Sequence, residues 1–298
     1  MINLHSKDEV VYETISSFLY DEENVKEYEI MKKKVLAAGL CAMMTASMAA
    51  CGSAETATTE GAVPTIKDGV LMVGMEIGYP PMEYFDEDGA TPIGFDVEVA
   101  NAVADYMGLE LEIVDTAWDG IFAGVDTGKY DVIFSCVSIT DERKEKFNIS
   151  EPYVSNHTVL IVPNDSEIDS MEALNGHSTA VQAETTADDY MKERSAELGV
   201  ELYQYDKVIN CFDELKTGRV DSVFVDSVVA SYYLGDEASN YKTVWENDEL
   251  EPIGFCVKKG NDDLTAALED AVNALYEDGT LAAIAEKYFG TDLTAGLR

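Results

Sequence analysis

Short apolar runs alternate with apolar stripes at helical spacing from Val70 to Tyr288, and this alternation constrains the fold more than any other feature of the chain. The strand-like runs lie at 70–75, 109–114, 131–134, 158–162, 179–181, 200–205, 221–225 and 253–257. The helix-like segments lie at 95–107, 118–126, 185–198, 210–217, 264–276 and 281–288. Strands that alternate with helices are typical of parallel sheets covered by helices on both faces. The sequence therefore predicts an α/β protein with two lobes.

The chain is strongly acidic, with 58 Asp and Glu residues against 20 Lys and Arg residues and a formal charge of -38. Such a chain repels phosphate backbones, which argues against nucleic acid as a partner. The acidic residues are spread along the chain, so the charge indicates the solvated surface of a folded body. No apolar run reaches the ~18 residues of a membrane-spanning helix, which argues against a multi-pass membrane protein.

The segment 31–50 is typical of an export signal. Three lysines at 32–34 precede an apolar stretch at 35–44, and small residues lead up to Cys51. The run SMAAC, which ends at Cys51, resembles a bacterial lipobox, in which the thiol of the last residue takes a diacylglycerol. The pattern predicts a lipoprotein signal peptide with lipidation at Cys51. The alternative is a short buried helix that contains a core cysteine.

Two expectations follow for the segments on either side of this signal. Because a second Met opens the signal at position 31, we expect residues 1–30 to be a non-native leader that arises from a misassigned start. Residues 51–65 are rich in Gly, Ser, Thr and Ala and predict a flexible tether. The mature protein is then expected to be exported and lipid-anchored on the outer face of the cytoplasmic membrane, at the cell surface or in the periplasm.

Three further cysteines, Cys136, Cys211 and Cys256, are scattered through the remaining chain without a CxxC spacing. This spacing argues against the usual zinc and thioredoxin patterns and against a fully paired disulfide framework. Buried thiols are the expectation, and no metal site is predicted.

Six stretches between about Ile66 and Gly290 carry a family resemblance. In chain order they are GYPPMEYFDEDG with IGFDVEVANAVA, AWDGIFAGVDTGKYDVI, SCVSITDERKEKFNISEPY, VQAETTADDY, GRVDSVFVDSVVASYYL and EDGTLAAIAEKYFG. Each stretch alone is a weak signal, but all of them in this order and spacing form a strong one. Together they resemble the family 3 extracellular solute-binding proteins, which are the polar amino-acid receptors of ABC importers.

The resemblance implies a two-lobed fold of the type II periplasmic-binding-protein kind, with two mixed sheets flanked by helices and joined by a two-strand hinge. Lobe 1 is expected to comprise residues 66–156 and 254–298, and lobe 2 residues 157–253. The implied function is to bind a polar L-amino acid between two closing lobes and to deliver it to the membrane permease subunits of an ABC importer. No cofactor is implied, and a monomer is expected.

A receptor for a free amino acid must bury a carboxylate and an ammonium, and each charge then requires a partner. By resemblance, Arg143 offers a two-pronged donor to the carboxylate and Ser138 adds a hydroxyl. Thr185 and Thr186 open a helix, and helix amino termini favour anions. Asp226 lies at the carboxyl edge of a strand, where open α/β sheets place ligands, and is the expected partner of the ammonium.

Further residues are expected to surround the rest of the ligand. Tyr79 and Trp118 resemble the aromatic walls of the family. Glu76, at the end of the first strand, is a candidate for side-chain specificity, and Ser135 and Cys136 are placed beside it by the resemblance.

Plain structural roles compete with some of these assignments, and the chain also departs from the family pattern. Thr185 and Asp226 are both capable of capping the helix that follows them. Glu184 stands where the family commonly has glycine, which puts the local backbone geometry in question. Cys136 replaces a smaller residue and Met82 an aromatic one, so the identity of the amino acid is not transferred.

Two other functions remain as alternatives. The same scaffold resembles cyclohexadienyl dehydratases, which need a positioned general acid or base. No histidine falls in a pocket motif, so the sequence favours a binding protein over an enzyme. A sensory ligand-binding module is the third possibility, and a neighbouring transporter operon would distinguish it from an importer receptor.

Overall fold

The structure is a computed structural model that describes residues 63–237 and 240–298. The expected leader at 1–30, the signal segment at 31–50 and Cys51 lie outside the described residues, as does most of the tether. The account below concerns the described part of the chain.

The described elements alternate as the sequence pattern indicates. The strands are β1 (Val70–Met75), β2 (Tyr84–Phe85), β3 (Pro92–Ile93), β4 (Glu110–Asp115), β5 (Val132–Ile133), β6 (Phe147–Ile149), β7 (Thr158–Pro163), β8 (Ser178–Gln182), β9 (Glu201–Tyr205), β10 (Ser222–Asp226), β11 (Tyr241–Glu246) and β12 (Cys256–Lys258). The α-helices are α1 (Phe95–Met107), α2 (Trp118–Thr127), α3 (Asp141–Lys146), α4 (Thr186–Leu198), α5 (Val208–Lys216), α6 (Ser227–Glu237), α7 (Asp262–Glu277) and α8 (Thr280–Phe289). A 3₁₀ turn lies at Glu172–Leu174.

The first sheet has the strand order β4-β1-β5-β12-β6. Strand β1 pairs in parallel with β4 and β5, with Val73 opposite both Ile113 and Val132. Strand β12 is antiparallel to both of its neighbours. Because β1 is covered on both faces, all but one of its residues are buried, as expected for a central strand of an α/β sheet.

The second sheet has the order β11-β7-β10-β8-β9. Strands β10, β8 and β9 run parallel, whereas β7 is antiparallel to β10 and β11. Every residue of β10 is buried, including its last residue, Asp226. The sequence places Asp226 just after this strand, so the observed strand runs one residue further than expected.

Two extended segments connect the sheets and lie side by side. The first follows β6 and contains Val154 and Asn156, and the second precedes β12 and contains Glu251 and Ile253. The Ile253 amide donates to the Val154 carbonyl at 3.0 Å, and the Glu251 amide donates to the Asn156 carbonyl at 2.8 Å. The chain therefore passes between the two sheets through a pair of hydrogen-bonded strands.

The fold prediction is confirmed: two mixed sheets with flanking helices form a two-lobed α/β protein. The sequence pattern misses helix α3 at Asp141–Lys146, because none of its residues is buried and the segment has no apolar stripe. It also misses the antiparallel strands β6 and β11. No helix of residues 63–237 and 240–298 has the length and apolar character needed to cross a membrane.

Candidate functional site

A cavity lies between the two sheets and is lined by residues of both. Its lining residues are Glu76, Tyr79, Glu83, Trp118, Ser135, Cys136, Ser138, Arg143, Gln182, Thr185, Thr186 and Asp226. Every ligand-contacting residue expected from the sequence lies on this cavity, together with Glu83 and Gln182. Several of them follow or end strands, because the carboxyl ends of parallel strands meet at one edge of a sheet.

Arg143 is held in place on the first-sheet side of the cavity. Its backbone amide donates to the side chain of Thr140 at 3.1 Å, which caps helix α3, and its Nη1 donates to the Ser138 carbonyl at 2.9 Å. The guanidinium carbon lies 5.5 Å from the ring centroid of Trp118 and 5.0 Å from that of Phe122. Among the described residues no carboxylate forms an ion pair with this guanidinium.

Burial lowers the pKa of Arg143, but arginine side chains remain charged in proteins. Only one of the guanidinium N–H groups is used by a described hydrogen bond. The remaining donors are therefore available for a carboxylate in the cavity, and the geometry of the side chain is already fixed.

The second-sheet side presents the amino terminus of helix α4. Thr185 caps this helix: its Oγ1 accepts from the Asp188 amide at 3.2 Å and donates to the Gln182 carbonyl at 2.8 Å. The capping role weighed for Thr185 is thus real, and it leaves the first N–H groups of the helix as donors. Thr186 Oγ1 lies 3.3 Å from Ser138 Oγ, so the two hydroxyls meet across the cavity.

Asp226 is buried at the end of β10 and accepts two close hydrogen bonds and a longer one from the Cys136 thiol, whose Sγ lies 4.0 Å from Oδ2. Its Oδ2 accepts a short hydrogen bond from the Tyr79 hydroxyl, and its Oδ1 accepts from Asn156 Nδ2 at 2.6 Å. Burial and, to a smaller extent, the charge of Glu251 raise the pKa of Asp226 to about 7, while the hydrogen bonds from Tyr79 and Asn156 oppose the shift. Because Tyr79 belongs to the first-sheet side, its bond to Asp226 crosses the cavity.

The alternative role of Asp226 as a helix cap is not what the structure shows. The first amide of helix α6, that of Ser227, donates to the His157 carbonyl at 2.7 Å. The next amide, that of Val228, lies 3.4 Å from Asn156 Oδ1. Asn156 and the backbone therefore serve the helix, and the Asp226 carboxylate faces the same cavity as the Arg143 guanidinium.

Glu76, Glu83 and Gln182 form the remaining polar wall. Gln182 Nε2 donates to Glu76 Oε2 at 2.7 Å, which joins the two sides of the cavity. Ser135 Oγ accepts from the Glu76 amide at 3.0 Å and donates to Glu83 Oε1 at 2.6 Å. Burial raises the pKa of Glu76, and it raises that of Glu83 well above its ordinary value, with the nearby Asp96 charge adding to the effect.

Two residues beside the cavity have left-handed backbones. Glu184, where the sequence raises a question about the backbone, has φ +62°, and Cys136 has φ +47°. Trp118 Nε1 donates to the Glu184 carbonyl at 3.0 Å, and the Glu184 amide donates to Asp188 Oδ2 at 2.8 Å. These bonds hold an unfavourable conformation that costs ~1–2 kcal/mol in a residue with a Cβ. Met82, expected near the pocket, is fully buried and is not among the residues that line it.

Sequence reasoning misses Glu83, Gln182 and Asn156. Glu83 stands in the same turn as Tyr79, and Gln182 ends a strand just before the helix that Thr185 caps. Their positions at strand ends are signals that could have included them. Asn156 lies at the crossing between the sheets, and only its contact with Asp226 reveals it.

No three His, Cys, Asp or Glu side chains of the described ranges lie together as a metal ion would require. Cys136, Cys211 and Cys256 are buried free thiols, as the sequence predicts. The cavity instead carries one cationic side chain, Arg143, and the carboxyl group of Asp226 among its lining residues.

Comparisons with known proteins identify relatives of this chain. The L-cystine-binding protein TcyJ of Escherichia coli (strain K12) is 32% identical over 258 residues, which cover 86% of this chain and 96% of that protein. The L-cystine-binding protein TcyA of Bacillus subtilis (strain 168) is 31% identical over 270 residues, or 88% of this chain and 99% of that one.

Solved structures show the same fold. An ancestral arginine-binding protein bound to arginine matches with a TM-score of 0.71 and 35% identity, over 74% of this chain and 99% of that chain. The ancestral amino-acid-binding protein AncCDT-1, a precursor of cyclohexadienyl dehydratase, matches with a TM-score of 0.69 and 33% identity, over 74% and 96%. The model of the bacterial extracellular solute-binding proteins, family 3, matches residues 71–291. The chain belongs to this family of bacterial extracellular solute-binding proteins.

Proposed function

We propose that this protein, an amino-acid receptor of an ABC importer, captures a polar L-amino acid by holding its two backbone charges from opposite lobes. One observation supports the proposal above all others: the Arg143 guanidinium and the Asp226 carboxylate lie on opposite sides of one cavity. A free amino acid carries the complementary pair of charges. Burying both charges is favourable only when each finds a partner.

In this proposal Arg143 and Ser138 hold the ligand carboxylate from the first lobe. The available N–H groups of the guanidinium form the charge-assisted pair, and the amino terminus of the helix after Thr185 adds donors from the second lobe. Thr186 contributes its hydroxyl, which already reaches Ser138 across the cavity.

Asp226 holds the ligand ammonium. Its oxygens accept from Tyr79 and Asn156, with the Cys136 thiol 4.0 Å from Oδ2, and Oδ1 has a second lone pair with which to accept from the ligand. An ammonium beside this carboxylate favours its ionised form, against the burial that raises its pKa to about 7. Tyr79 and Trp118 also present their rings to the aliphatic part of the ligand.

We further propose that binding closes lobe 2 (157–253) onto lobe 1 (66–156 and 254–298) about the paired crossing segments. Hydrogen bonds already join the sides of the cavity at Glu76 with Gln182 and at Tyr79 with Asp226. A ligand that contacts both lobes binds this closed arrangement better than an open one. Only such a difference in affinity shifts the population toward closure. The permease subunits then recognise the closed form.

Export and anchoring complete the proposal. The signal segment at 31–50 and the lipobox that ends at Cys51 support lipidation, and the tether leaves the lobes free to work as a monomer beside the permease. Two or more acyl chains are needed for stable attachment to a membrane. Because the roles of Arg143 and Asp226 are satisfied by binding alone, we assign no catalytic residue.

Amino acids in which one of the two backbone charges is chemically blocked test the roles assigned to Arg143 and Asp226. Relatives named for cystine and arginine make these the first amino acids to screen, with the other standard amino acids, by thermal shift of the full-length protein. A ligand at 100 times its Kd stabilises the fold by ~2.7 kcal/mol, which raises the Tm of a chain of this size by about 5–11 °C.

The methyl ester and the N-acetyl derivative of the best ligand are then compared with the parent. Each derivative removes one of the two charges, and we expect both to lose the thermal shift. A derivative that binds as tightly as the parent refutes the assignment of the charge it lacks. Product formation from prephenate or arogenate would instead establish the dehydratase alternative.

A further inference from the structure

One buried carboxyl group outside the cavity lining joins the cavity to the crossing segments. Asp96, the second residue of helix α1, is wholly shielded from solvent. Its Oδ2 accepts from the Cys136 amide at 2.7 Å, and its Oδ1 accepts from the Tyr153 hydroxyl at 2.9 Å. Cys136 lines the cavity, whereas Tyr153 directly precedes Val154 of the first crossing segment. A carboxyl group at this depth requires partners, and these two donors supply them.

The cavity loop, residues 135–138, contains a backbone conformation that needs support from outside the loop. Cys136 has φ +47°, in the left-handed region that is unfavourable for a residue with a Cβ. Its amide donates to Asp96, which lies 40 positions earlier in the chain. The same loop carries Ser138, whose carbonyl accepts from Arg143 Nη1 at 2.9 Å. A shift of the loop therefore moves the guanidinium that we assign to the ligand carboxylate.

The cavity loop is also bonded to the second crossing segment, which precedes β12. The Gly254 amide donates to the Val137 carbonyl at 2.9 Å. The two crossing segments pair with each other in turn, because the Tyr153 amide donates to the Ile253 carbonyl at 2.9 Å. The cavity loop, both crossing segments and Asp96 therefore form one hydrogen-bonded unit.

Packing fixes the Tyr153 ring, and with it the position of the hydroxyl. The side chain is fully buried, and its ring centroid lies 6.1 Å from that of Phe95 and 5.7 Å from that of Phe134. Phe134 directly precedes the cavity loop, and its ring centroid lies 5.4 Å from that of Phe255, which follows the second crossing segment. Because packed core side chains transmit strain, a rotation of either crossing segment displaces the loop as well.

We infer that Asp96 is a positioning residue for amino-acid capture: it fixes the cavity loop to the first crossing segment, so that Arg143 and Ser138 are correctly placed when the lobes close. The inference rests on the proposed function, since Asp96 makes no contact with the ligand and acts through Arg143. Charge-assisted hydrogen bonds depend on distance and angle, so a displaced guanidinium binds a carboxylate less tightly. Loss of the anchor should therefore raise the Kd for the amino acid in a protein that still folds.

Three variants of the full-length protein test this role by isothermal titration. The titrant is whichever of L-arginine, L-cystine and the other standard amino acids gives the wild type its largest thermal shift. Tyr153→Phe removes the hydroxyl but keeps the packed ring, and we expect it to weaken binding at least fivefold. Asp96→Ala removes both hydrogen bonds, and we expect a loss of at least tenfold. Asp96→Asn keeps an oxygen for the Cys136 amide, and the Tyr153 hydroxyl is able to accept from its Nδ2, so we expect binding within threefold of the wild type.

Tyr130→Phe is the matched control, because it also removes one hydroxyl from a buried tyrosine. The Tyr130 hydroxyl donates to the Ile121 carbonyl, and Tyr130 is not among the described residues that line the cavity. This variant should keep the wild-type Kd within twofold, even where its Tm falls as far as that of Tyr153→Phe. An equal loss of affinity in the two variants would show a general effect of destabilisation and overturn the inference.

The Tm of each variant is measured first, and Tyr153→Phe decides the matter if Asp96→Ala does not fold. A folded Tyr153→Phe variant with less than a fivefold loss of affinity overturns the role assigned to Asp96 and leaves the proposed function intact. Asp96→Asn binding as weakly as Asp96→Ala overturns it as well, since the hydrogen bonds would then not be what matters. Failure of the wild type to bind any amino acid refutes the proposed function itself, and this inference with it.

Discussion

Replacing Arg143 by alanine removes the group that we assign to the ligand carboxylate. Removing one partner of a buried, hydrogen-bonded charge pair costs ~2–5 kcal/mol of binding free energy. We therefore expect Arg143→Ala to weaken amino-acid binding by a factor of about 30 to 5,000, because each 1.4 kcal/mol is a tenfold change in Kd. Arg143→Lys keeps the charge but loses the two-pronged geometry, and its affinity should fall between those of the wild type and the alanine variant.

The fold should survive the same change. Arg143 contributes one hydrogen bond to the Ser138 carbonyl and lies over the rings of Trp118 and Phe122. Those contacts are worth ~0.5–1.5 kcal/mol for the hydrogen bond and ~0.5–1 kcal/mol for each ring. The variant also avoids the cost of desolvating a buried guanidinium, which partly offsets this loss. The same desolvation lowers the pKa of Arg143 in the wild type. We expect the Tm to change by no more than about 4 °C.

Isothermal titration calorimetry at several temperatures measures the loss, with circular dichroism as the check on folding. A strongly weakened variant with a wild-type melting transition supports the assignment. Affinity retained within about threefold, or ~0.7 kcal/mol, refutes it, because no buried charge pair is that weak when one partner is removed. A large drop in Tm would show instead that Arg143 is a structural residue. Ligand affinity would then be measured in Arg143→Lys.

Three further outcomes follow from the structure and the sequence. Burial raises the pKa of Asp96 and Asp226 to about 7, so the folded state keeps protons that an unfolded chain, with aspartate pKa ~3.9, has released. These two groups should therefore make the free energy of unfolding fall as the pH rises from 4 to 7, by up to ~1.4 kcal/mol per pH unit each. Urea titrations at several pH values measure this slope, which should be smaller in magnitude in Asp226→Asn than in the wild type. An identical slope in the variant contradicts the shift of the Asp226 pKa. Glu184→Gly should be more stable than Glu184→Ala by ~0.5–1 kcal/mol. Both variants lose the glutamate side chain, but only glycine adopts the left-handed backbone of this position without a steric cost. Equal Tm values for the two variants would show that the backbone is not strained. Cys51→Ala should release the protein from membrane fractions and abolish incorporation of labelled palmitate, and continued membrane retention would count against a lipid anchor.

The local pattern was sufficient for most helices and strands. Helix α1 begins at Phe95 and ends at Met107 where the sequence places it, because its apolar spacing and the glycines on either side are local signals. Helix α3 escaped prediction because it is short, none of its residues is fully buried and it has no apolar stripe. It is nevertheless the helix that carries Arg143, and a side-chain cap from Thr140 defines its start.

The residues of the candidate site were likewise only partly predictable from local sequence patterns. A charged or hydroxyl side chain just after a buried strand is visible in the sequence, and parallel strands bring such positions to one sheet edge whatever the loops contain. Asp226 was therefore a candidate from the strand pattern, whereas Arg143 and Ser138 became candidates through the family resemblance. Their roles toward a ligand remain predictions, which the titrations above test.

The sequence by itself determined the α/β alternation, the acidic surface and the residue types available for binding an amino acid, because periodicity and composition are local properties. Only the tertiary structure decided which of these groups have partners. Tyr79 and Asn156 reach Asp226 from distant parts of the chain, and Gln182 reaches Glu76 in the same way. Strand order and the packing of the two sheets set those distances, and no local pattern in the sequence encodes them.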